Sequence, residues 1–442
     1  MKKVLSLITL LLLTIILGAC SSEESSSSKN DDTSKKDESS DPVELNLWGG
    51  HPELDPWYNK MAEQYNAEHP NVKVTISSFP LRDYEKKIAA ALPAQSAAEI
   101  LAVNPVVAQR YIEGGMMVEA PDKLAKLVNN ESSIPKIISE TANNNGKVYG
   151  VPQYISKAAL FYNTKIFEEA GLSGPPTTME QYVEYAQKTA KVDASGKLIR
   201  AGQSLRLSGG GSGVAEKFWV MLMQNGGSIV KKVADGKYEA NYDNKAGLKT
   251  VQMYVDMVHK YKTDDPTLKH DAEGFQLEQA AFFARESWVV GDTQKKAPNL
   301  EYSSAPMPNS TLVVPFNLHV TKAAEGKVAD AAWDFISYVS QPENQVEMMR
   351  MTGWQPTRQD LDLKELFKEF PQYEAFFVER DLQTYPPIPE FDEIMTKFAD
   401  RLANKGFTDP SFVDNPEKIE AFLEEAAKET NDILKQNSHY AK

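Results

Sequence analysis

The sequence predicts an α/β protein, a parallel or mostly parallel sheet with helices on both faces, divided into two domains or lobes. Two observations carry that expectation. From Val43 onward, short stretches of alternating apolar residues are followed by stretches with apolar residues at helical spacing, a pattern that buries itself best as a sheet covered by helices. The chain has 442 residues, and the roughly 400 that follow its polar N-terminal stretch exceed what one hydrophobic core usually serves.

The first element is not part of that body. Lys2 and Lys3 precede an apolar run over 4–17, then Gly18, Ala19 and Cys20, the only cysteine in the chain. A basic start, a short apolar stretch and small residues before a break read as a secretory signal over 1–19, because about 15 apolar residues are too few to span a bilayer comfortably. Leu17-Gly18-Ala19-Cys20 resembles the bacterial lipobox, which implies cleavage before Cys20 and a lipid anchor on its sulfur. A lone cysteine is more often a buried thiol, a reading that the signal-like context disfavours. Residues 20–41 follow as the lipidated cysteine and a disordered tether. The stretch 21–41 is rich in Ser, Asp, Glu and Lys and has no aromatic or aliphatic residue to offset the entropy lost on ordering. As a random coil its roughly 20 residues span about 25 Å.

The body then alternates. Val43-Glu44-Leu45-Asn46-Leu47 reads as a strand broken by Gly49-Gly50, and Trp57, Met61 and Tyr65 mark a helix over 56–68. Val72, Val74 and Ile76 form a second strand; Tyr84, Ile88 and Ala91 mark a helix; 99–103 is a short buried strand; Val107 and Tyr111 belong to a helix ending at Gly114-Gly115. Further on, a strand is expected over 159–162, a helix near 166–170, and a helix after Thr177 whose Glu180 completes a capping-box pattern. Leu248, Val251, Val255 and Val258 form a helical stripe, 318–321 a strand, 328–339 a helix and 417–434 the last long helix.

Composition excludes several function classes. Formal net charge is -14, which argues against nucleic acid and against docking the body on anionic lipid. One cysteine permits no internal disulfide, so stability must come from packing. The six histidines, His51, His69, His259, His270, His319 and His439, have neither i, i+4 pairing nor cysteine partners, so no metal is expected. No Gly-Lys dipeptide is followed by Ser or Thr, and no Gly-x-Gly-x-x-Gly occurs, so no nucleotide cofactor is expected. In Gly209-Gly210-Gly211-Ser212-Gly213 the serine lacks nucleophile-elbow spacing, and a loop or helix-start role is preferred. A glycosidase carboxylate pair is compatible with the abundant acidic residues, although most of them read as solvated surface.

Several segments between Val43 and the C terminus resemble the extracellular solute-binding proteins of ABC importers, in the maltose-binding-like branch (family 1) that takes carbohydrates. They include Leu47-Trp48-Gly49-Gly50, His69-Pro70-Asn71-Val72-Lys73-Val74, Gly146-Lys147-Val148-Tyr149-Gly150-Val151-Pro152, the run Phe161-Tyr162-Asn163-Thr164-Lys165-Ile166-Phe167, and Thr352-Gly353-Trp354-Gln355-Pro356-Thr357-Arg358. Pro315-Phe316-Asn317 replaces a Gly-rich turn common in that family, and His51 stands where other polar residues are common. The resemblance implies a two-lobed periplasmic-binding-protein type II-like fold with a ligand cleft and three hinge crossings. By motif position these fall near 119–122, 303–306 and 339–342, which makes 42–120 with 305–340 one lobe and 121–304 with 341–442 the other.

Ligands of open α/β sheets bind beyond the carboxyl ends of strands, which selects candidates. Trp48 and His51 follow the first strand, Asn104 the strand ending at Val103, Tyr154 the Val151-Pro152 motif and Trp288 the segment 280–283; Phe316 and Asn317 precede a late strand, and Trp354 sits in a Gly-flanked turn. Aromatic faces pack on the C–H face of a sugar ring while Asn, His or carboxylates bind hydroxyls. Each candidate also has a plain reading: core packing for Trp48, Trp354 and Phe316, a surface turn or Asx cap for His51 and Asn104. Trp57, Trp219 and Trp333 lie on helical apolar stripes and are expected in the core. The resulting expectation is a monomeric, lipid-anchored, non-enzymatic protein at the outer face of the cell membrane of a Gram-positive bacterium. It captures a carbohydrate, by preference an oligosaccharide, with high affinity and delivers it to ABC permease subunits by hinge closure. The alternatives are a secreted polysaccharide-degrading enzyme, a surface adhesin, or a binding protein for a polyol or glycerol phosphate.

Overall fold

The structure is a computed structural model that describes residues 42–208, 211–269 and 271–441. The expected signal, the lipidated Cys20, the tether and the start of the glycine run lie outside the described residues. Strands, in chain order, are β1 (Val43–Gly49), β2 (Val72–Ser78), β3 (Ile100–Val103), β4 (Asn143–Asn144), β5 (Lys147–Val148), β6 (Val151–Asn163), β7 (Lys191–Val192) and β8 (Leu198–Ser204). They continue with β9 (Val230–Ala234), β10 (Lys237–Ala240), β11 (Ala280–Glu286), β12 (Tyr302–Pro306), β13 (Ser310–Val320), β14 (Gln355–Pro356) and β15 (Asp381–Gln383). Eleven of these form one sheet, in the order β2-β1-β3-β13-β6-β11-β8-β7, with β12 and β14 also on β6 and β15 on β13.

That sheet is mixed, which corrects the expectation of a mostly parallel one. β1 pairs in parallel with β2 and β3, and β11 with β8. The centre is antiparallel, because β13 pairs antiparallel with both β3 and β6, and β6 antiparallel with β11. The strands expected at 159–162 and 318–321 are the ends of β6 and β13, which run for 13 and 11 residues. Both are buried nearly throughout, polar residues such as Gln153, Asn317 and His319 included, so period-2 alternation is masked and their length could not be read from it. Residues 303–306 lie within β12, paired to the far end of β6.

Helices flank this sheet for local reasons that the sequence shows. Asn104 caps the helix Pro105–Glu113 by accepting from the Val107 amide at 3.0 Å, and Pro105 occupies the first turn, where its missing N–H costs nothing. The helix Met179–Thr189 is capped by Thr178, one residue later than expected, while the Gln181 side chain reaches back to the Thr177 amide. Gly202 in β8 lies so close to that helix that a Cβ would meet the Ala186 carbonyl at 1.9 Å. Trp57, Trp219 and Trp333 are buried in the main core, as expected. Among the described residues no helix is long and apolar enough to cross a membrane, and no group of three or more His, Cys, Asp or Glu could hold a metal ion.

Candidate functional site

A cavity of about 360 Å³ opens where β1, β3, β6, β11 and β13 end or cross. His51 enters it because the chain turns sharply after β1, at Gly50, where a Cβ would strike Leu81 and Tyr84 within 2.9 Å. Its Nδ1 and the Tyr154 hydroxyl share a hydrogen bond of 3.0 Å. Tyr154 stacks on Phe316, its partner across the β6–β13 ladder, at 5.0 Å and 8°. His51 meets Phe316 and Trp354 edge-on at 4.5 and 4.9 Å. Four rings from four distant segments thus form one aromatic floor. Burial lowers the His51 pKa to about 4, against the pull of Glu286, so the ring is neutral near pH 7.

Trp288 supplies a second, more exposed aromatic wall. It begins the helix Trp288–Lys296 directly after β11, donates Nε1 to Glu286 at 3.2 Å, and lies under the Arg285 guanidinium at 5.2 Å. Gly353 joins the two walls. It ends the helix Pro342–Thr352 at φ 80°, a conformation that favours glycine, and a Cβ there would approach Trp288 Cα to 3.0 Å.

The remaining wall is charged, and each of its guanidinium groups is joined to a carboxylate, whereas Glu53, also in the lining, has no ion-pair partner among the described residues and its pKa is raised by burial. Glu286 is held by Lys217 and by Arg285, the latter at 2.6 Å. Asp271 bridges Arg285 at 2.5 Å and Arg206 at 3.2 Å. Arg82 pairs with Glu85 at 2.7 Å, lies 3.6 Å from Asp392, and donates to the Ser212 hydroxyl at 2.7 Å. Burial alone would raise the Glu286 carboxyl, but Arg285 and Lys217 outweigh it and hold the group well below the usual carboxylate range. For Asp271 too, burial is outweighed by Arg285 and Arg206, and its pKa is lowered. Arg206 and Asp271 both adopt positive φ, 56° and 63°, a strained conformation for residues with side chains. The glycine run makes room for these guanidinium groups. A Cβ on Gly211 would meet Arg82 at 2.8 Å, and one on Gly213, the first residue of the helix Gly213–Gln224, would meet Arg206 at 2.6 Å.

Of the eight candidates chosen from sequence, His51, Asn104, Trp288, Phe316 and Trp354 line the cavity together. Tyr154 sits one layer behind, bonded to His51. The other two do not reach it. Trp48 packs away from the cavity on Phe79 at 6.0 Å, with the Lys87 ammonium 4.1 Å over its ring. Asn317 is wholly buried, with no partner among the described residues for either side-chain polar atom, because as the strand neighbour of Phe316 it points to the opposite face. Asn104 is both the cap and a lining residue, so its NH2 and the second lone pair of Oδ1 remain for anything in the cavity. The charged wall was not anticipated: Arg82, Arg206 and Arg285 were not singled out, and Glu216 and Glu286 fall among the acidic residues read mostly as solvated surface. One signal was present, since Arg285-Glu286 close the apolar run 280–284 immediately before Trp288.

Residues 60–375, more than half of the chain, match the family described as bacterial extracellular solute-binding protein. The chain belongs to that family. The arabinooligosaccharide-binding protein of Bacillus subtilis is 22% identical over 363 residues, covering 76% of this chain and 78% of the relative. The sn-glycerol-3-phosphate-binding periplasmic protein of Pectobacterium atrosepticum is 24% identical over 375 residues, covering 76% and 78%. Among solved structures, an ABC-transporter solute-binding protein of Thermotoga lettingae, bound with α-D-tagatose, superposes with a TM-score of 0.75 at 20% identity, over 89% of this chain and 100% of that one. This solute-binding protein therefore has the two-lobed fold of its relatives, built on the mixed sheet described above.

Proposed function

We propose that this solute-binding protein captures a neutral carbohydrate, by preference an oligosaccharide, and passes it to the permease subunits of an ABC importer by closing two lobes on it. The observation that carries this reading is the pairing of the cavity charges. Three guanidinium groups and five carboxylates line the cavity, and Arg82, Arg206 and Arg285 are each joined to a carboxylate. No cation among the described lining residues is left for a phosphate, which weighs against glycerol phosphate. Paired carboxylates and guanidinium groups instead offer fixed acceptors and donors to hydroxyls, beside the Trp288 face and the aromatic floor.

The lobes in this reading are residues 42–120 with 305–340 and 121–304 with 341–442, hinged near 119–122, 303–306 and 339–342. Contacts from Arg82 to Ser212 and Asp392 then join one lobe to the other at the cavity mouth, where ligand contacts with both lobes shift the population toward closure. The protein acts as a monomer without catalysis, held at the outer face of a Gram-positive cell membrane by lipid on Cys20.

A thermal-shift panel of neutral oligosaccharides and glycerol 3-phosphate tests the ligand class. A ligand at 100 times its dissociation constant stabilises by about 2.7 kcal/mol. A shift with an oligosaccharide, with the sugar recovered unhydrolysed, is the expected result; a shift with glycerol 3-phosphate alone overturns it. Replacing Cys20 with Ala releases the protein to the medium with sugar binding intact.

A further inference from the structure

The β6–β13 pair has a second concave side. Ile155, Lys157 and Val313 alternate along the strands with Tyr154, Ser156 and Val314, and they line a separate cavity of about 640 Å³ on the opposite face. That volume lies within the range of small-molecule sites. Its walls are largely apolar, with Ile138, Phe367, Phe377 and Leu382 among them.

Its charges are not closed as those of the first cavity are. Four cationic side chains line it, Lys157, Arg358, Lys364 and Arg380, against the carboxylates of Asp362 and Glu379. Arg358 is taken by Asp360 at 2.6 Å. Among the described residues, no carboxylate lies within ion-pair distance of Lys157, Lys364 or Arg380. Lys157 donates instead to the Phe376 carbonyl at 2.6 Å and the Val378 carbonyl at 3.4 Å. Arg380 donates to the carbonyls of Met307 and Glu379, each at 2.8 Å. Burial and the nearby Arg380 lower the Lys157 pKa to about 8, as expected of a cation short of an anion. Gln355, 5% exposed, converges on the same Phe376 carbonyl through Nε2 at 3.4 Å, and its buried Oε1 has no hydrogen-bond partner. Lys157 and Arg380, held only by backbone carbonyls, and an acceptor without a donor among the described residues therefore line one apolar wall, a combination that is costly without further partners.

We propose that this cavity is a second binding site, for a small aromatic carboxylate bearing a hydroxyl: Lys157 and Arg380 take the carboxylate, Gln355 accepts from the hydroxyl, and the ring packs on the apolar wall. The site is separate from the sugar cavity and its assignment does not depend on which sugar binds there.

The test uses the folded protein and the fluorescent probe 6-hydroxy-2-naphthoate, with 2-naphthol as the probe lacking a carboxylate. Saturable one-site binding of the carboxylate, weakened by about tenfold or more in Lys157→Met and in Arg380→Gln, with no saturable binding of 2-naphthol, is the expected result. Circular dichroism checks the fold of each variant, and Arg380→Gln serves if Lys157→Met does not fold. Trp288→Ala retains naphthoate binding if the site is the one proposed. Absence of saturable binding at millimolar probe, equal binding by wild type and both variants, or loss of binding in Trp288→Ala overturns the assignment.

Discussion

The two faces of the β6–β13 pair are made of adjacent residues in the same strands, yet they present opposite electrostatics. On one face, Tyr154 and Phe316 stack under His51, and every guanidinium around them already has a carboxylate. On the other, Lys157 and Arg380 line an apolar cavity and bond only to backbone carbonyls. Strand alternation separates the faces, but it does not determine which charges find partners. That depends on what other elements bring. The helix Gly213–Gln224 carries Lys217, and β11 ends in Arg285 and Glu286, all on the first side. On the second, β14 and β15 contribute Gln355 and Leu382 but no acidic side chain to the cavity wall. A face with closed charges suits neutral hydroxyls; a face with open cations suits an anion.

The comparison breaks most directly at Glu286. Glu286→Gln leaves Arg285 and Lys217 buried with a partner removed, and is expected to destabilise the fold by about 3–5 kcal/mol in urea unfolding. Lys157→Met on the other face removes a cation that has no counter-ion and is expected to cost much less. Equal losses would show that the two faces do not differ in charge closure.

The next effect is one of pH. His51 titrates at about 4 in the folded chain against an ordinary value of 6.5, so as pH falls the unfolded chain takes its proton first. Stability is therefore lost from about pH 6.5 downward, and the loss is complete below about pH 4, at a cost of about 3 kcal/mol for this group. His319, also lowered to about 4 by burial, adds a similar loss. Urea midpoints of wild type and His51→Gln at pH 7.5 and pH 4 check this, with a smaller drop expected in the variant. An identical drop would mean that the imidazole is solvated.

Smaller still is Trp288→Ala, expected to weaken sugar binding by about 2 kcal/mol, roughly thirtyfold, by calorimetry. Unchanged affinity would remove Trp288 as a sugar platform. Gly353→Ala is expected to cost about 1–2 kcal/mol of stability, since φ 80° and the close approach to Trp288 both oppose a Cβ. A neutral result in thermal unfolding would show that the turn relaxes freely.

How much of this was legible differs by kind of element. The strands and helices of the segment 43–115 were read correctly because they are short, most have one apolar face, and turn residues such as Gly49 and Gly114 mark some of their ends. β6 and β13 were read only at their ends, because strands buried on both faces carry no alternation. Of the eight candidates chosen near strand ends and in a Gly-flanked turn, five line the cavity. Trp48 and Asn317 missed it because their side chains point away from it, Asn317 as the strand neighbour of Phe316.

The sequence by itself determined the alternation of strands and helices, the membership of the solute-binding family, and the aromatic residues available at strand ends. These depend on neighbours within a few positions, or on motifs that survive as contiguous strings. Only the tertiary structure decided that β6 and β13 form an antiparallel centre, that Arg82, Arg206, Arg285 and Glu286 converge, and that Lys157 remains without a carboxylate. Ion pairs and cavities join residues up to hundreds of positions apart, and their energy depends on distance and burial, which spacing along the chain does not carry.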